Sequence, residues 1–114
     1  RREWFKRHVE ILAQALGTAL GLKGKGEVQK AIAALEGALE KAFGLNGQLA
    51  LAFPLEQFLS LALRGEKPST ELLSALSGLF AQYAALLEAS GRSDEAASAK
   101  ERAQVLESRA AAGA

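Results

Sequence analysis

Apolar residues recur every three or four positions along most of the chain, which is the period of one helix face. Two such runs occupy the first third, from about Glu3 to Leu20 and from about Glu27 to Phe43. Their apolar positions are Phe5, Val9, Leu12, Leu16 and Leu20, then Val28, Ile32, Leu35, Leu39 and Phe43. The glycine-rich stretch 21–26 breaks the pattern, so the sequence predicts an antiparallel helical hairpin over residues 3–43, with Gly44 as its C-terminal cap.

The middle of the chain, residues 44–68, is less regular. Asn46-Gly47 is typical of a turn, and the apolar stretch Leu49–Phe53 is closed by Pro54. An isolated strand would lack a partner for its backbone groups. We therefore expect a buried extended or short helical connection, followed by a helix from about Pro54 to Leu63.

A second hairpin is predicted over residues 69–109. Ser69 or Thr70 caps a helix that runs to about Ala89, and Ser93 caps the last helix after Gly91. The expected core positions are Leu72, Leu76, Leu79, Phe80, Tyr83 and Leu87, then Ala96, Ala99, Ala103, Val105 and Leu106. Residues 110–114 should fray. The chain is thus predicted to be one all-α domain, 1–114, of four to five helices.

Composition supports helices and limits the chemistry. The chain has 24 Ala and 20 Leu but only three Val and two Ile, and it has no Cys, so thiolate metal sites and cysteine nucleophiles are excluded. The net charge of +1 gives no global reason to bind nucleic acid, although residues 1–30 carry +4. No apolar run reaches the roughly 18 residues of a membrane span. We expect no membrane partner, with cytoplasm as the default location.

A turn glycine followed by alanines at fixed spacing occurs twice, as Gly26, Ala31, Ala38 and as Gly91, Ala96, Ala103. These positions resemble the second half of a tetratricopeptide repeat, in which small residues let helix B pack closely on helix A. Upstream of the second copy, the large and small helix-A positions of that family match Phe80, Tyr83, Ala84 and Leu87; the first copy offers Ala15, Thr18, Ala19 and Leu22. The two copies lie 65 residues apart, which is no multiple of the 34-residue repeat.

The resemblance therefore implies a pair of tetratricopeptide-like hairpins with an irregular insertion. The overall layout is similar to a family of short bacterial helical proteins of unknown function, which transfers no activity. Tetratricopeptide folds imply protein or peptide binding, and this implication is an analogy at the level of the fold.

Three patterns invite a chemical interpretation. The stretch 21–26 lacks the strand and the Lys-Ser/Thr pair of a phosphate loop, so an interhelical turn is favoured. His8 is the only histidine and has no second ligand at metal-binding spacing. Glu36 and Glu40 are predicted to lie on a solvated helix face. We accordingly predict no catalytic residues, no metal site and no cofactor.

The sequence does place a second apolar line on the first helix, formed by Trp4, His8 and Ile11. Neighbouring residues lie about 100° apart on a helix, so Trp4 and Phe5 cannot share one face. The second apolar line either packs within the chain or meets a partner. We predict a non-enzymatic interaction module that associates with itself through this line. The alternatives are a ligand-binding protein or enzyme with a pocket near Leu45–Pro54, and nucleic-acid binding through the basic first helix.

Overall fold

The computed structural model describes residues 2–113, with side chains from Trp4 onward, and this part of the chain forms six α-helices and no strand. They are α1 (Arg2–Gly24), α2 (Val28–Phe43), α3 (Gly47–Ala52), α4 (Leu55–Leu63), α5 (Thr70–Ala89) and α6 (Ser93–Ala111). The predicted all-α class is confirmed. The number of helices is six rather than four to five because the middle segment forms a short helix of its own.

The core is built around α5, which packs against α6 and also against α1 and α2. Its buried face includes every position predicted for it, because apolar residues at helical spacing fall on one side. In α6 the predicted alanines and Leu106 are buried, whereas Val105 is only half-buried. The radius of gyration, 13.0 Å, is the size expected of one domain of this length.

The first helix is longer than predicted. It continues through Gly21 to Gly24, and the chain reverses at Gly26, whose φ of +78° suits glycine. The N–H groups of Lys25 and Glu27 both donate to the carbonyl of Leu22, which completes the helix end. Gly21 was wrongly predicted as a break because an isolated glycine weakens a helix without ending it.

The last apolar position predicted for the buried face of α1, Leu20, is also wrong. Leu20 is 50% exposed, while Ala19 is buried. Measured from the fully buried Leu12, Ala19 lies about 20° around the helix and Leu20 about 80°. The small residue therefore faces the core.

The middle segment is a short helical connection, one of the two forms expected. Asn46 begins α3 as its N-cap, and its Oδ1 accepts the N–H of Leu49 at 3.0 Å. The predicted turn at Asn46-Gly47 is thus a helix start, since Asn also favours the N-cap position. Pro54 lies one residue before α4, just outside the first turn predicted for it.

The second hairpin begins and ends close to the predicted residues. Ser69 caps α5, with Oγ accepting the N–H of Leu72 at 3.1 Å, as predicted. Ser93 is not a cap: it is the first residue of α6, and Arg92 occupies the cap position while its side chain pairs with Glu95. Helix α6 continues to Ala111, through the first part of the tail predicted to fray, and Ala110 is buried. Residue 114 lies outside the described residues.

The repeated glycine and alanine positions have the predicted structural roles. Gly26 and Gly91 adopt left-handed backbone conformations with φ of +78° and +81°. The alanines that follow, Ala31, Ala38, Ala96 and Ala103, are all buried. In both hairpins a glycine reversal is therefore followed by small residues that let the second helix pack closely.

Candidate functional site

The second apolar line lies at the N-terminal end of α1 and packs against the C-terminal end of α2 through His8 and Phe43. His8 is only 5% exposed, and its ring stacks on that of Phe43 at a centroid distance of 5.0 Å. Its Nδ1 lies 2.6 Å from the carbonyl oxygen of Trp4 and must carry the proton, since a carbonyl only accepts. His8 thus has little surface to offer a partner.

Trp4 and Ile11 are half-buried and pack on the core. The aromatic series continues inward as Phe43, Phe58 and Phe80, with edge-to-face contacts at 6.4 and 5.9 Å. Most of the line is therefore covered within the chain, which was the first of the two arrangements that the sequence left open. A contact through Trp4 or Ile11 stays a prediction.

A large concave surface lies between α5 and α6, with a volume of about 920 Å³. Small residues form its floor, and their short side chains do not project into the space above the two packed helices. From α5 they are Ser74, Ser77, Gly78, Ala81, Ala84 and Ala85, and from α6 they are Ala96, Ala97 and Ala103. We call this surface the α5–α6 groove. It is open to solvent along its length.

A buried hydrogen bond fixes how the two helices pair beneath the groove. Ser77 Oγ donates to the carbonyl oxygen of Ala103 at 2.8 Å. Since the helices form a hairpin, residues whose numbers sum to about 180 lie level with one another. The groove from Ser74 to Glu88 is then about 21 Å long, at 1.5 Å per residue.

Charged residues are confined to the rim of the α5–α6 groove. Glu88 lies at one end, Glu107 at the other, and Lys100 between them, all three exposed. None of them belongs to the ion pairs Lys30–Glu27, Arg92–Glu95 and Arg109–Glu56, which are described among the side chains from Trp4 onward. Their charges are therefore available to a molecule that occupies the groove.

The other side of α6 carries a buried cation that the sequence pattern did not predict. Arg102 is 8% exposed and donates to the carbonyl oxygens of Ala50 (3.2 Å), Leu51 (2.9 Å) and Phe53. These groups lie at the end of α3, where carbonyls have no partner inside the helix and the dipole favours a cation. Burial lowers the pKa of Arg102, but a guanidinium remains charged. Its role here is to hold α3 on α6.

A second buried polar contact joins α5 to α2 beneath the start of α3. Tyr83, fully buried, donates its hydroxyl proton to Glu36 Oε2 at 2.7 Å. Glu36 is half-buried, so its predicted place on a solvated face is wrong; Glu40 is exposed as predicted. Burial, and then the bond to Glu36, raises the pKa of Tyr83. The phenol is therefore neutral and serves as a structural donor.

The segment Leu45–Pro54 contributes to a shallow depression rather than a deep pocket. Gln48, Leu51 and Ala52 meet α6 there around a volume of about 360 Å³. The backbone of this segment is occupied by Arg102. A ligand site at this place stays a prediction without a specific contact to support it.

The remaining candidate groups are dispersed. Lys6, Arg7, Lys23 and Lys25 are exposed on α1 and its following turn, and nucleic-acid binding by them stays a prediction. Among the side chains described from Trp4 to Gly113, no three or more His, Asp or Glu gather where they could hold a metal ion. Among the described helices, α5 alone is long and apolar enough to cross a membrane, and 56% of its apolar window is buried inside the bundle.

Comparison with protein-family models, with curated protein sequences and with solved structures found no match to this chain.

Proposed function

We propose that this protein is a non-enzymatic interaction module that associates with itself, and that the contact surface is the α5–α6 groove. The observation that carries the proposal is a solvent-open groove about 21 Å long between two helices, with an alanine, glycine and serine floor. A floor of this kind allows the backbone of another helix to approach closely. The tetratricopeptide-like spacing of its residues agrees with a binding role by analogy.

The proposal moves the contact away from the second apolar line. His8 is already covered by Phe43, whereas the exposed groove residues Ala81, Ala85 and Ala97 have no such cover within the described chain. Self-association is favoured because the rim carries unpaired charges of both signs, which lets one copy complement another.

The size of the groove sets the expected strength. Two adjacent helices of about 10 Å diameter and 21 Å length present a face of roughly 400 Å². Standard stable interfaces bury about 800 Å² per partner. We therefore expect a reversible dimer whose formation depends on protein concentration over the micromolar range.

The test is light scattering coupled to size exclusion across a concentration series. Wild type should shift from 12.0 kDa toward twice that mass as concentration rises. Ala81→Arg, which fills the groove from an exposed position, should remain monomeric. Ala33→Arg, at an exposed position of α2 that does not line the groove, is the matched control and should behave as wild type.

Two results would overturn the proposal. One is a wild-type mass that stays at 12.0 kDa up to millimolar concentration. The other is a dimer that Ala81→Arg leaves intact while circular dichroism shows the same helix content.

A further inference from the structure

We infer that the occupant of the α5–α6 groove is α6 of a second copy, seated antiparallel so that Lys100 of each copy meets Glu107 of the other. This inference rests on the proposed function and adds its partner, orientation and register.

Helix α6 carries one line of exposed residues along its side of the α5–α6 groove. Ala97, Lys100, Gln104, Glu107 and Ala111 follow one another at intervals of three, four, three and four, and all are exposed. That spacing keeps them on one face of the helix and suits contact with a second helix.

Antiparallel pairing about a two-fold axis makes this line complementary to itself. Lys100 and Glu107 are seven residues, about 10.5 Å, apart on the same face. When the axis passes midway between them, each lysine lies opposite the glutamate of the second copy, so one register forms two ion pairs. The same register brings Ala97 to the far end of the second α6, near the exposed Ala111.

The charges disfavour the other symmetric arrangement, in which two α5 helices meet. The exposed line of α5 runs from Ser74 through Ala81 to Glu88. A two-fold axis near Ala81 would bring Glu88 of the second copy level with Ser74. Because the Ser77 to Ala103 hydrogen bond places Ser74 beside Leu106 and Glu107, two carboxylates would then approach each other. Like charges in contact select against that mode.

The experiment is a charge swap measured by sedimentation equilibrium. Lys100→Glu and Glu107→Lys should each raise the dimer dissociation constant about tenfold, because two attractive pairs become two repulsive ones. The double variant Lys100→Glu/Glu107→Lys should return to within about threefold of wild type, since both pairs re-form with reversed sign. Lys25→Glu, an exposed lysine in the turn after α1, makes the same charge change away from the groove and should leave the dimer unchanged.

The outcomes separate the register from the function. This inference would be overturned if the single variants had no effect, or if the double variant dimerised as weakly as the two single variants combined. If Ala81→Arg still abolished the dimer in that case, the proposed function would stand. A wild-type chain that is monomeric throughout would remove both. Raised salt should weaken wild type and the double variant alike; a dimer indifferent to salt would also count against the ion pairs.

Discussion

Gly47 occupies a position where no larger residue fits. A Cβ built on it would lie 2.4 Å from the hydroxyl oxygen of Tyr83 and 2.6 Å from Cγ of Glu36. Tyr83 is fully buried and cannot swing away without losing its hydrogen bond. The glycine therefore permits α3 to cross directly over this pair.

We expect Gly47→Ala to destabilise the fold by about 1–3 kcal/mol, the usual cost of overpacking a core. Gly37→Ala is the matched control, because Gly37 lies inside α2 with open space around its Cα. There the alanine should stabilise by about 0.5–1 kcal/mol through helix propensity. Urea unfolding followed by circular dichroism measures both. Equal effects at the two positions would show that α3 does not pack as described.

At the scale of the helices, the N-terminal ends of α5 and α6 allow a direct comparison of two serines. Ser69 accepts the N–H of Leu72 and caps α5, whereas Ser93 is the first residue of α6 and makes no cap bond. Ser69→Ala should cost about 1 kcal/mol, the typical value of a lost cap. Ser93→Ala should change stability by less than about 0.5 kcal/mol, as surface substitutions usually do. Thermal unfolding of both variants tests the assignment, and the opposite order of effects would contradict it.

The sequence predicted helices well where hydrophobic period and local caps agreed. α2 ends and α5 begins at the expected residues because Gly44 and Ser69 act through neighbouring backbone groups. The middle segment was harder, since α3 has only six residues and is held by tertiary contacts from Arg102. A short helix is marginal by propensity alone. The contact between Arg102 and α3 is visible only in the folded structure.

The candidate site was predicted less well for the same reason. Trp4, His8 and Ile11 were recognisable as apolar residues off the main stripe, but the stacking of His8 on Phe43 joins residues 35 positions apart. The α5–α6 groove is a feature of two helices together, and small residues in one sequence do not distinguish a filled contact from an open one. A signal was nevertheless present for the contact of Tyr83: a tyrosine on a core stripe requires a partner for its hydroxyl.

At the scale of the whole molecule, one buried contact links three parts of the fold. Tyr83 on α5 bonds Glu36 on α2, and both lie beneath Gly47 at the start of α3. The short helix is fastened at its other end by Arg102 of α6. Protonation of Tyr83 is therefore coupled to the stability of the entire bundle.

This coupling predicts a loss of stability at alkaline pH with a defined sign. The pKa of Tyr83 is raised above its ordinary value of 10.0 by burial and by the bond to Glu36. Above pH 10 the unfolded chain releases the phenolic proton while the folded chain keeps it, so unfolding becomes more favourable as pH rises. The extra slope should approach 1.4 kcal/mol per pH unit.

Tyr83→Phe isolates the effect, because the variant differs from wild type only in having no phenol to ionise. The variant should be less stable than wild type at neutral pH but should lose less stability between pH 10 and 11. Tyr83 is the single tyrosine, so tyrosinate absorbance reports on this residue alone. The tyrosinate absorbance of wild type should rise only when the bundle unfolds. Its appearance near pH 10 with the helices intact would mean that the hydroxyl is not held between α5 and α2.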